Sequence, residues 1–254
     1  MTQWYEASFG EDYLALYPHR NSEEARADVS AIIRLLEPPR QEPLLDLCCG
    51  AGRHLFALLE AGFSDLTGID LSQTLLDIAQ KQLDSQRTTH VRLVRSDMRD
   101  IPFREEFCTI LSLFTSFGYF GDTAEDQRVL TAAYSALRPG GTFLMDTLNR
   151  AWTIAHLAPR TKDVIDGNVV SMTRTISPDG LRVEKDTRIE PIHGQPRTYR
   201  ESVRMYETDD LRAMLGHAGF TDLRFYGALD GRPHDAMSPR TIAIAHRPSA
   251  QGPR

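Results

Sequence analysis

Residues 44–54 are Leu44-Leu45-Asp46-Leu47-Cys48-Cys49-Gly50-Ala51-Gly52-Arg53-His54. The apolar run 44–48 predicts a short strand that is buried on both faces, and the amphipathic run 53–61 predicts a helix. The two glycines therefore lie at a strand-to-helix turn. Without a Cβ atom they let a ligand approach the backbone, and the first N–H groups of the helix point at that ligand. This arrangement is typical of a nucleotide-like ligand site.

Two carboxylates belong to this turn. Asp46 is a charged residue inside an apolar strand, and a buried charge needs a partner. Asp70 ends the next predicted strand, 65–70, and follows Gly50 by 20 residues, the interval at which βαβ nucleotide sites place an acid for ribose hydroxyls. Dinucleotide-binding folds need a third small residue where this chain has Leu55. The sequence thus favours an adenosine ligand over the cofactor of a nicotinamide dehydrogenase.

The stretch resembles motif I of class I S-adenosylmethionine (SAM)-dependent methyltransferases, and in particular small-molecule enzymes similar to amino-sugar N-methyltransferases. Later segments agree with this family: Ser96-Asp97-Met98-Arg99, Phe114-Thr115-Ser116-Phe117-Gly118-Tyr119-Phe120, Leu137-Arg138-Pro139-Gly140-Gly141 and Met145-Asp146. The chain departs from the family at Cys48, where a third glycine is more common. A small side chain at this position is compatible with binding, and the resemblance implies SAM as the cofactor.

Strands and helices alternate from residue 43 to residue 148, which predicts right-handed βαβ crossovers and a parallel sheet. Predicted helices at 2–17 and 22–36 precede it. The resemblance implies an α/β fold with a doubly wound, mostly parallel seven-stranded sheet, the Rossmann-like methyltransferase fold. The alternating runs 168–176, 181–190 and 197–206 predict a small antiparallel β insertion of three strands. Thr208 is expected to cap a helix that ends near Gly216.

We expect four parts along the chain: N-terminal helices and the SAM-binding core at 1–150, an antiparallel β cap at 151–206, the C-terminal part of the core sheet at 207–247 and a disordered tail at 248–254. The cap is predicted to close the acceptor site, because it leaves the fold after the fifth strand. The carboxyl end of that strand lies on the same edge of the sheet as the glycine turn.

The resemblance implies a donor site formed by Tyr13, Arg20, Asp46, Gly50, Gly52, Asp70, Leu71, Asp97, Met98 and Leu113. In it, Arg20 would pair with the methionine carboxylate, Asp97 would accept the adenine amino group, and Met98 would pack on the ring. Simpler interpretations are a surface arginine at Arg20, a packed aromatic side chain at Tyr13, and an Asx turn with a core methionine at 97–98.

The acceptor site is expected to include Tyr17, Phe117, Arg174 and Arg200. Tyr119 lies where amino-sugar N-methyltransferases have an active-site histidine, so it is the candidate catalytic residue, although a packing role fits equally well. Other candidates for the base are Tyr17, His54 and His193, and His54 could instead cap its helix.

Composition excludes several function classes. Lys and Arg number 29 against 35 Asp and Glu, a net charge of −6, so no nucleic-acid or membrane surface is expected. Three cysteines, two of them adjacent, fit neither a disulfide framework nor a zinc site, and no metal is expected. The chain has no apolar run of about 20 residues and no signal-peptide region. We therefore expect a cytoplasmic monomer or homodimer.

The sequence predicts a SAM-dependent methyltransferase that transfers a methyl group in line to an oxygen or nitrogen of a small molecule. The alternative is a non-catalytic SAM-binding or assembly protein, since motif I by itself indicates only binding. The 117–120 loop and the β insertion favour an enzyme, because together they can enclose a second ligand.

Overall fold

A computed structural model describes residues 3–16 and 21–249. Its strands are β1 (Leu44–Leu47), β2 (Leu66–Asp70), β3 (Val91–Arg95), β4 (Phe107–Ser112), β5 (Leu137–Leu148), β6 (Arg160–Ile165), β7 (Asn168–Ile176), β8 (Arg182–Glu190), β9 (Arg197–Arg204), β10 (Thr221–Tyr226) and β11 (Arg240–His246). The larger sheet has the order β10-β11-β5-β4-β1-β2-β3. Strands β1 to β5 pair in parallel, and β11 is antiparallel to both β5 and β10. The predicted fold class is confirmed.

The described helices are α1 (Trp4–Ser8), α2 (Glu11–Leu16), α3 (Ser22–Leu36), α4 (Arg53–Glu60), α5 (Gln73–Gln86), α6 (Thr123–Ala136), α7 (Arg150–Ala155) and α8 (Thr208–Ala218). The sheet is covered on both faces. Leu45 and Leu47 of β1 belong to one core cluster and Leu44 to the other, and all three side chains are buried. This confirms the prediction of a strand buried on both faces.

Close packing of helix against sheet depends on a glycine in β2. A Cβ atom at Gly68 would lie 2.6 Å from Leu55 Cδ1 and 2.7 Å from Cys49 Sγ, distances that van der Waals contact does not allow. The small residue that a dinucleotide fingerprint places on the helix is therefore replaced here by a small residue on the strand. Leu55 can then fill the helix–sheet interface.

Helix boundaries differ from prediction at two places. The predicted helix 2–17 is two short helices, interrupted at Phe9 and Gly10. Thr208 does not cap α8; Glu207 occupies the N-cap position, and its N–H donates to Asp210 Oδ2 at 3.1 Å. Asn21 is the N-cap of α3, because its Oδ1 accepts the N–H groups of Glu23 and Glu24.

The second sheet has four strands, in the order β6-β7-β8-β9, all antiparallel. The prediction of three strands was wrong because it omitted β6. The missed signal is the pair Asp166-Gly167 between β6 and β7, whose φ angles are 48° and 79°. An Asp-Gly pair with two positive φ angles is a preferred two-residue hairpin turn.

The part of the predicted tail from 250 to 254 lies outside the described residues, and so does Tyr17 at the end of the predicted first helix. Within the described ranges, no helix combines the length and the apolar character needed to cross a membrane.

Candidate functional site

A cavity of about 750 Å³ opens at the carboxyl ends of β1, β2 and β4. It brings together residues from five separate segments: Tyr5, Phe9 and Tyr13; Asp46, Cys48, Gly50, Arg53 and His54; Asp70 and Leu71; Asp97 and Met98; and Leu113, Phe114, Tyr119 and Phe120. Parallel strands end at a common edge, which explains why residues so distant in sequence meet here. Most of the side chains predicted for the donor site line this cavity.

Asp70 braces the glycine turn. Its Oδ2 accepts the Gly50 N–H at 2.8 Å, and its Oδ1 accepts the Ser72 N–H at 2.8 Å. Burial raises the pKa of Asp70, while these two N–H donors act to lower it. Each carboxylate oxygen can accept a further hydrogen bond, so this carboxylate both fixes the turn and remains able to bind a ligand hydroxyl.

Cys48 is strained. Its φ angle is 67°, in the left-handed region that costs an L-residue with a side chain about 1 to 2 kcal/mol. The position at which the family more often has glycine is thus one where glycine fits best. The residue is half-buried and lines the cavity beyond the end of β1, so the predicted strand 44–48 ends one residue earlier, and the neighbouring Cys49 is buried in a core cluster. Burial raises the pKa of the Cys48 thiol well above its usual value.

The two glycines of the turn have different surroundings. A Cβ atom at Gly50, whose φ is +56°, would meet only Leu75 Cδ1 at 3.8 Å. At Gly52, with φ +84°, it would lie 3.1 Å from Phe56 Cε2 and 3.4 Å from Ala79 Cβ. Gly52 therefore faces the core and does not line the cavity, which corrects its placement in the donor site. It begins α4 as the N-cap in the left-handed conformation.

Two residues of opposite charge that line the cavity each have one polar atom without a hydrogen bond. Asp46 Oδ2 and Arg53 Nη2 are both buried and have no hydrogen-bond partner among the described residues. Burial raises the pKa of Asp46 to about 6, and the charges of His54 and Arg53 oppose that rise. Although Arg53 Nη2 lies 4.0 Å from Asp28 Oδ2, a buried polar atom that makes no hydrogen bond is costly, and a ligand carrying both charges would satisfy the two atoms.

Arg53 was missed by the sequence analysis. It is held by Glu24 at 2.7 Å, and its guanidinium lies 4.6 Å from the centre of the Phe114 ring. The sequence signal that could have identified Arg53 is its position as the first helical residue after the glycine turn, where a side chain lies close to the ligand site. Arg20, to which the methionine carboxylate was assigned, lies outside the described residues.

Aromatic side chains from α1, α2 and the loop after β4 form the wall opposite the glycine turn. The Tyr119 ring stacks on Phe9, with centroids 5.7 Å apart and an angle of 20°. Phe9 in turn meets Tyr13 edge-on at 5.0 Å. Trp4 Nε1 donates to the Tyr119 carbonyl oxygen at 3.2 Å. The N-terminal helices thus cover the cavity, and Tyr119 has both a packing role and access to it.

Comparisons with known proteins agree with this geometry. A family model described as a methyltransferase domain matches residues 44–141. The chain is 29% identical over 175 residues to dTDP-3-amino-3,4,6-trideoxy-alpha-D-glucopyranose N,N-dimethyltransferase of Streptomyces venezuelae, an alignment that covers 66% of this chain and 69% of that protein. The fold also matches the crystal structure of an S-adenosylmethionine-dependent methyltransferase from Clostridium acetobutylicum, with a TM-score of 0.79, 18% identity, and coverage of 93% and 96%.

The protein is a SAM-dependent methyltransferase. A further relative is dTDP-3-amino-3,6-dideoxy-alpha-D-glucopyranose N,N-dimethyltransferase of Streptomyces fradiae, 30% identical over 137 residues that cover 54% of this chain and 48% of that protein. The predicted family, enzyme class and SAM cofactor are confirmed.

In the methyltransferase, Asp97 forms an Asx turn. Its Oδ1 accepts the Arg99 N–H at 2.9 Å, and its Oδ2 pairs with the Arg99 guanidinium at 2.6 Å. Arg99 also binds Glu125 at 2.5 Å and lies over the Phe120 ring at 4.2 Å. Arg99 holds the pKa of Asp97 below its usual value against the opposing effect of burial. Asp97 is therefore a fixed, ionised acceptor at the cavity wall, so the turn and a ligand role are compatible.

Several residues predicted for the acceptor site lie elsewhere. Phe117 packs in the core against Tyr206 and is 2% exposed. Arg174 donates to Thr161 Oγ1 within the four-stranded sheet, and the largely exposed Arg200 pairs with Glu184. None of the three lines the cavity, and these placements correct the prediction. Alternating strands offered many arginines, and their periodicity did not specify which face of the sheet looks toward the ligand.

The candidate bases also lie at different places in the structure. His54 is buried and its Nε2 lies 3.2 Å from Asp28 Oδ2 at the cavity edge, so it joins α3 to α4. His193 is exposed in the turn before β9, and Tyr17 lies outside the described residues. Among the described residues no group of His, Cys, Asp and Glu could hold a metal ion, and the three cysteines are unpaired.

Proposed function

We propose that the small-molecule acceptor of this methyltransferase, for which the sequence left oxygen and nitrogen open, is an amine that receives the methyl group of SAM on nitrogen. One observation carries the proposal: a cavity is lined both by the glycine turn with the charged residues Asp46 and Arg53 and by the aromatic side chains of the N-terminal helices and the loop after β4. When bound, SAM supplies an electrophilic methyl group on a sulfonium centre. The protein's task is to align the two reactants and exclude water.

The residues present fit the donor. We assign the ammonium group of its methionine end to Asp46 and the carboxylate to Arg53, because Asp46 Oδ2 and Arg53 Nη2 make no hydrogen bond among the described residues. Asp70 would accept the ribose hydroxyls with its remaining lone pairs. Leu71, Met98 and Leu113 supply apolar surface for the adenine, and Asp97 an acceptor at its edge.

The acceptor end is closed by the N-terminal helices and the loop that carries Tyr119. The cavity wall contains the carboxylates of Glu6, Asp46, Asp70 and Asp97 against the guanidinium groups of Arg53 and Arg95. An excess of carboxylates together with aromatic faces suits cationic groups, such as a sulfonium and a protonated amine. The two Streptomyces relatives are named as N,N-dimethyltransferases of amino sugars, which supports nitrogen over oxygen.

Tyr119 is our candidate catalytic residue, since it lines the cavity; its phenolic oxygen receives the acceptor's proton only when the phenol is ionised. The four-stranded sheet serves as the cap: Asp12 of α2 pairs with Arg197 of β9 at 2.6 Å and accepts the Tyr199 hydroxyl at 2.5 Å. The helices that cover the cavity are thereby attached to the cap. A net charge of −6 supports a partner that is neither nucleic acid nor membrane, and we place the protein in the cytoplasm as a monomer or homodimer.

The test is to incubate the protein with isotopically labelled SAM and a panel of amino-sugar nucleotides, with the corresponding hydroxy-sugar nucleotides as matched controls. We expect labelled product, heavier by one CH₂ per transfer, from amines only. Product from the hydroxyl compounds alone would contradict the assignment to nitrogen. SAM binding by calorimetry without transfer to either set, or to any compound of a metabolite extract, would favour the non-catalytic alternative.

A further inference from the structure

Arg182, at the start of β8, binds the backbone of the segment that carries Tyr119. We call residues 117–120 the acceptor loop. Arg182 Nη1 donates to the Phe120 carbonyl oxygen at 2.9 Å, and Nη2 lies 3.2 Å from the Gly118 oxygen and 3.4 Å from the Tyr119 oxygen. The Arg182 guanidinium, which belongs to the four-stranded sheet, thus binds the carbonyl oxygens of three successive residues in the acceptor loop, which follows β4 of the larger sheet.

The position of this guanidinium is itself fixed. Arg182 Nε donates to Ser202 Oγ at 2.9 Å, and Nη2 donates to the Ser202 carbonyl oxygen at 2.7 Å. Arginine can make these contacts together because its five N–H donors lie in one rigid plane, whereas lysine has a compact ammonium group with three donors. The planar guanidinium of Arg182 therefore fixes the position of the acceptor loop relative to β9.

A direct backbone hydrogen bond also joins β9 to the acceptor loop. The Arg204 N–H of β9 donates to the Gly118 carbonyl oxygen at 2.7 Å. Gly118 has φ +87°, and a Cβ atom there would lie 2.4 Å from the Arg204 carbonyl oxygen. Only glycine allows β9 to approach the loop this closely. Two independent substitutions, one in the sheet and one in the loop, can consequently disturb the same contact.

A buried carboxylate supplies the counter-charge beneath the loop. Asp126 is fully buried and accepts the Tyr206 hydroxyl at 2.8 Å. The charges of Arg182 and Arg204 act to lower the pKa of Asp126, while burial raises it to about 6. The connection between the two sheets is hence a buried polar network, and the loss of one member leaves other groups unsatisfied.

We propose that Arg182 is a positioning residue: it transmits the placement of the four-stranded sheet to the acceptor loop and so sets the orientation of Tyr119 and Phe120 without touching the acceptor. Both of these residues line the cavity and Arg182 does not. The inference rests on the proposed function for its effect on catalysis. The coupling of sheet to loop does not depend on that function.

The experiment compares Arg182→Lys, Arg182→Met and Gly118→Ala with the control Arg188→Met. Arg188 is exposed on the same strand and, among the residues that the structure describes, pairs with its neighbour Glu190. Hydrogen exchange in the ligand-free protein should be at least tenfold faster for the acceptor loop and the Arg204 amide in the three test variants, and unchanged at 44–54. The dissociation constant of S-adenosylhomocysteine should stay within threefold of wild type, while kcat/KM for the acceptor falls at least tenfold.

Loop exchange equal to that of Arg188→Met would overturn the proposal, and so would a parallel loss of S-adenosylhomocysteine affinity, which a general structural role predicts. Gly118→Ala provides the same comparison if Arg182→Met does not fold. Faster loop exchange in a protein whose wild-type form transfers no methyl group would overturn the proposed function and support the coupling through Arg182.

Discussion

Replacement of Asp46 by asparagine should stabilise the ligand-free methyltransferase and weaken its binding of SAM. The Asp46 side chain is 1% exposed, and its pKa rises from 3.8 to about 6 because burial disfavours the charged form. At 1.36 kcal/mol per pKa unit, the ionised carboxylate costs the folded state up to about 3 kcal/mol. Asparagine has the same shape and no charge, so it removes this cost.

The pH dependence follows from the sign of the shift. Below pH 3.8 Asp46 is neutral in both the folded and the unfolded state, and the cost is absent. As the pH rises through about 6, the folded protein must ionise the buried acid, and stability from this group is lost. The free energy of unfolding of Asp46→Asn minus that of wild type should therefore increase by up to about 3 kcal/mol between pH 4 and pH 7.

Urea denaturation at several pH values measures this difference, and Asp84→Asn, at an exposed carboxylate of α5, is the control. Donor affinity should fall at least tenfold, because a charged hydrogen bond to the ammonium group is worth about 1.5 to 3 kcal/mol. A difference in unfolding free energy that does not vary with pH would refute the buried charge. An unchanged dissociation constant for SAM would refute the role of Asp46 in the donor site.

Other substitutions test the rest of the donor site. Asp70→Ala should lower SAM affinity at least tenfold through the loss of a charge-assisted acceptor worth about 1.5 to 3 kcal/mol; calorimetry on the folded variant measures it, and an unchanged affinity would remove Asp70 from the site. Gly50→Ala should weaken SAM binding, whereas Gly52→Ala should chiefly lower the melting temperature, since its Cβ meets Phe56; equal losses of affinity would contradict their different directions. Arg53→Met should weaken SAM binding more than Arg53→Lys, which keeps the charge, and equal affinities of the two variants would argue against a carboxylate partner.

The sequence was sufficient for the fold class and for most of the donor wall. The structure has the predicted alternation of strands and helices, the glycine turn and Asp70 beside it. These features could be predicted because they depend on local periodicity and short spacings. Family, enzyme class and cofactor followed from the same residues and are confirmed. The roles of Tyr119 and of the individual donor residues stay predictions.

Local periodicity did not predict the direction in which individual residues point. Gly50 and Gly52 look equivalent in sequence, yet one Cβ would enter the cavity region and the other the core. Arg174 and Arg200 share their strand pattern with Arg182, yet only Arg182 reaches the acceptor loop. The strand β6 was missed although its Asp166-Gly167 turn was a usable signal.

By itself, the sequence determined where the ligand-binding edge lies, because parallel strands joined by helices end at one edge and the glycine turn marks it. Which charged residues meet at this edge depends on tertiary packing. The buried Asp46 and the partly buried Arg53 line the same cavity, and Arg182 meets Phe120 across 62 residues. Such contacts depend on how one sheet packs against another, and packing is a property of the whole chain that no local pattern records.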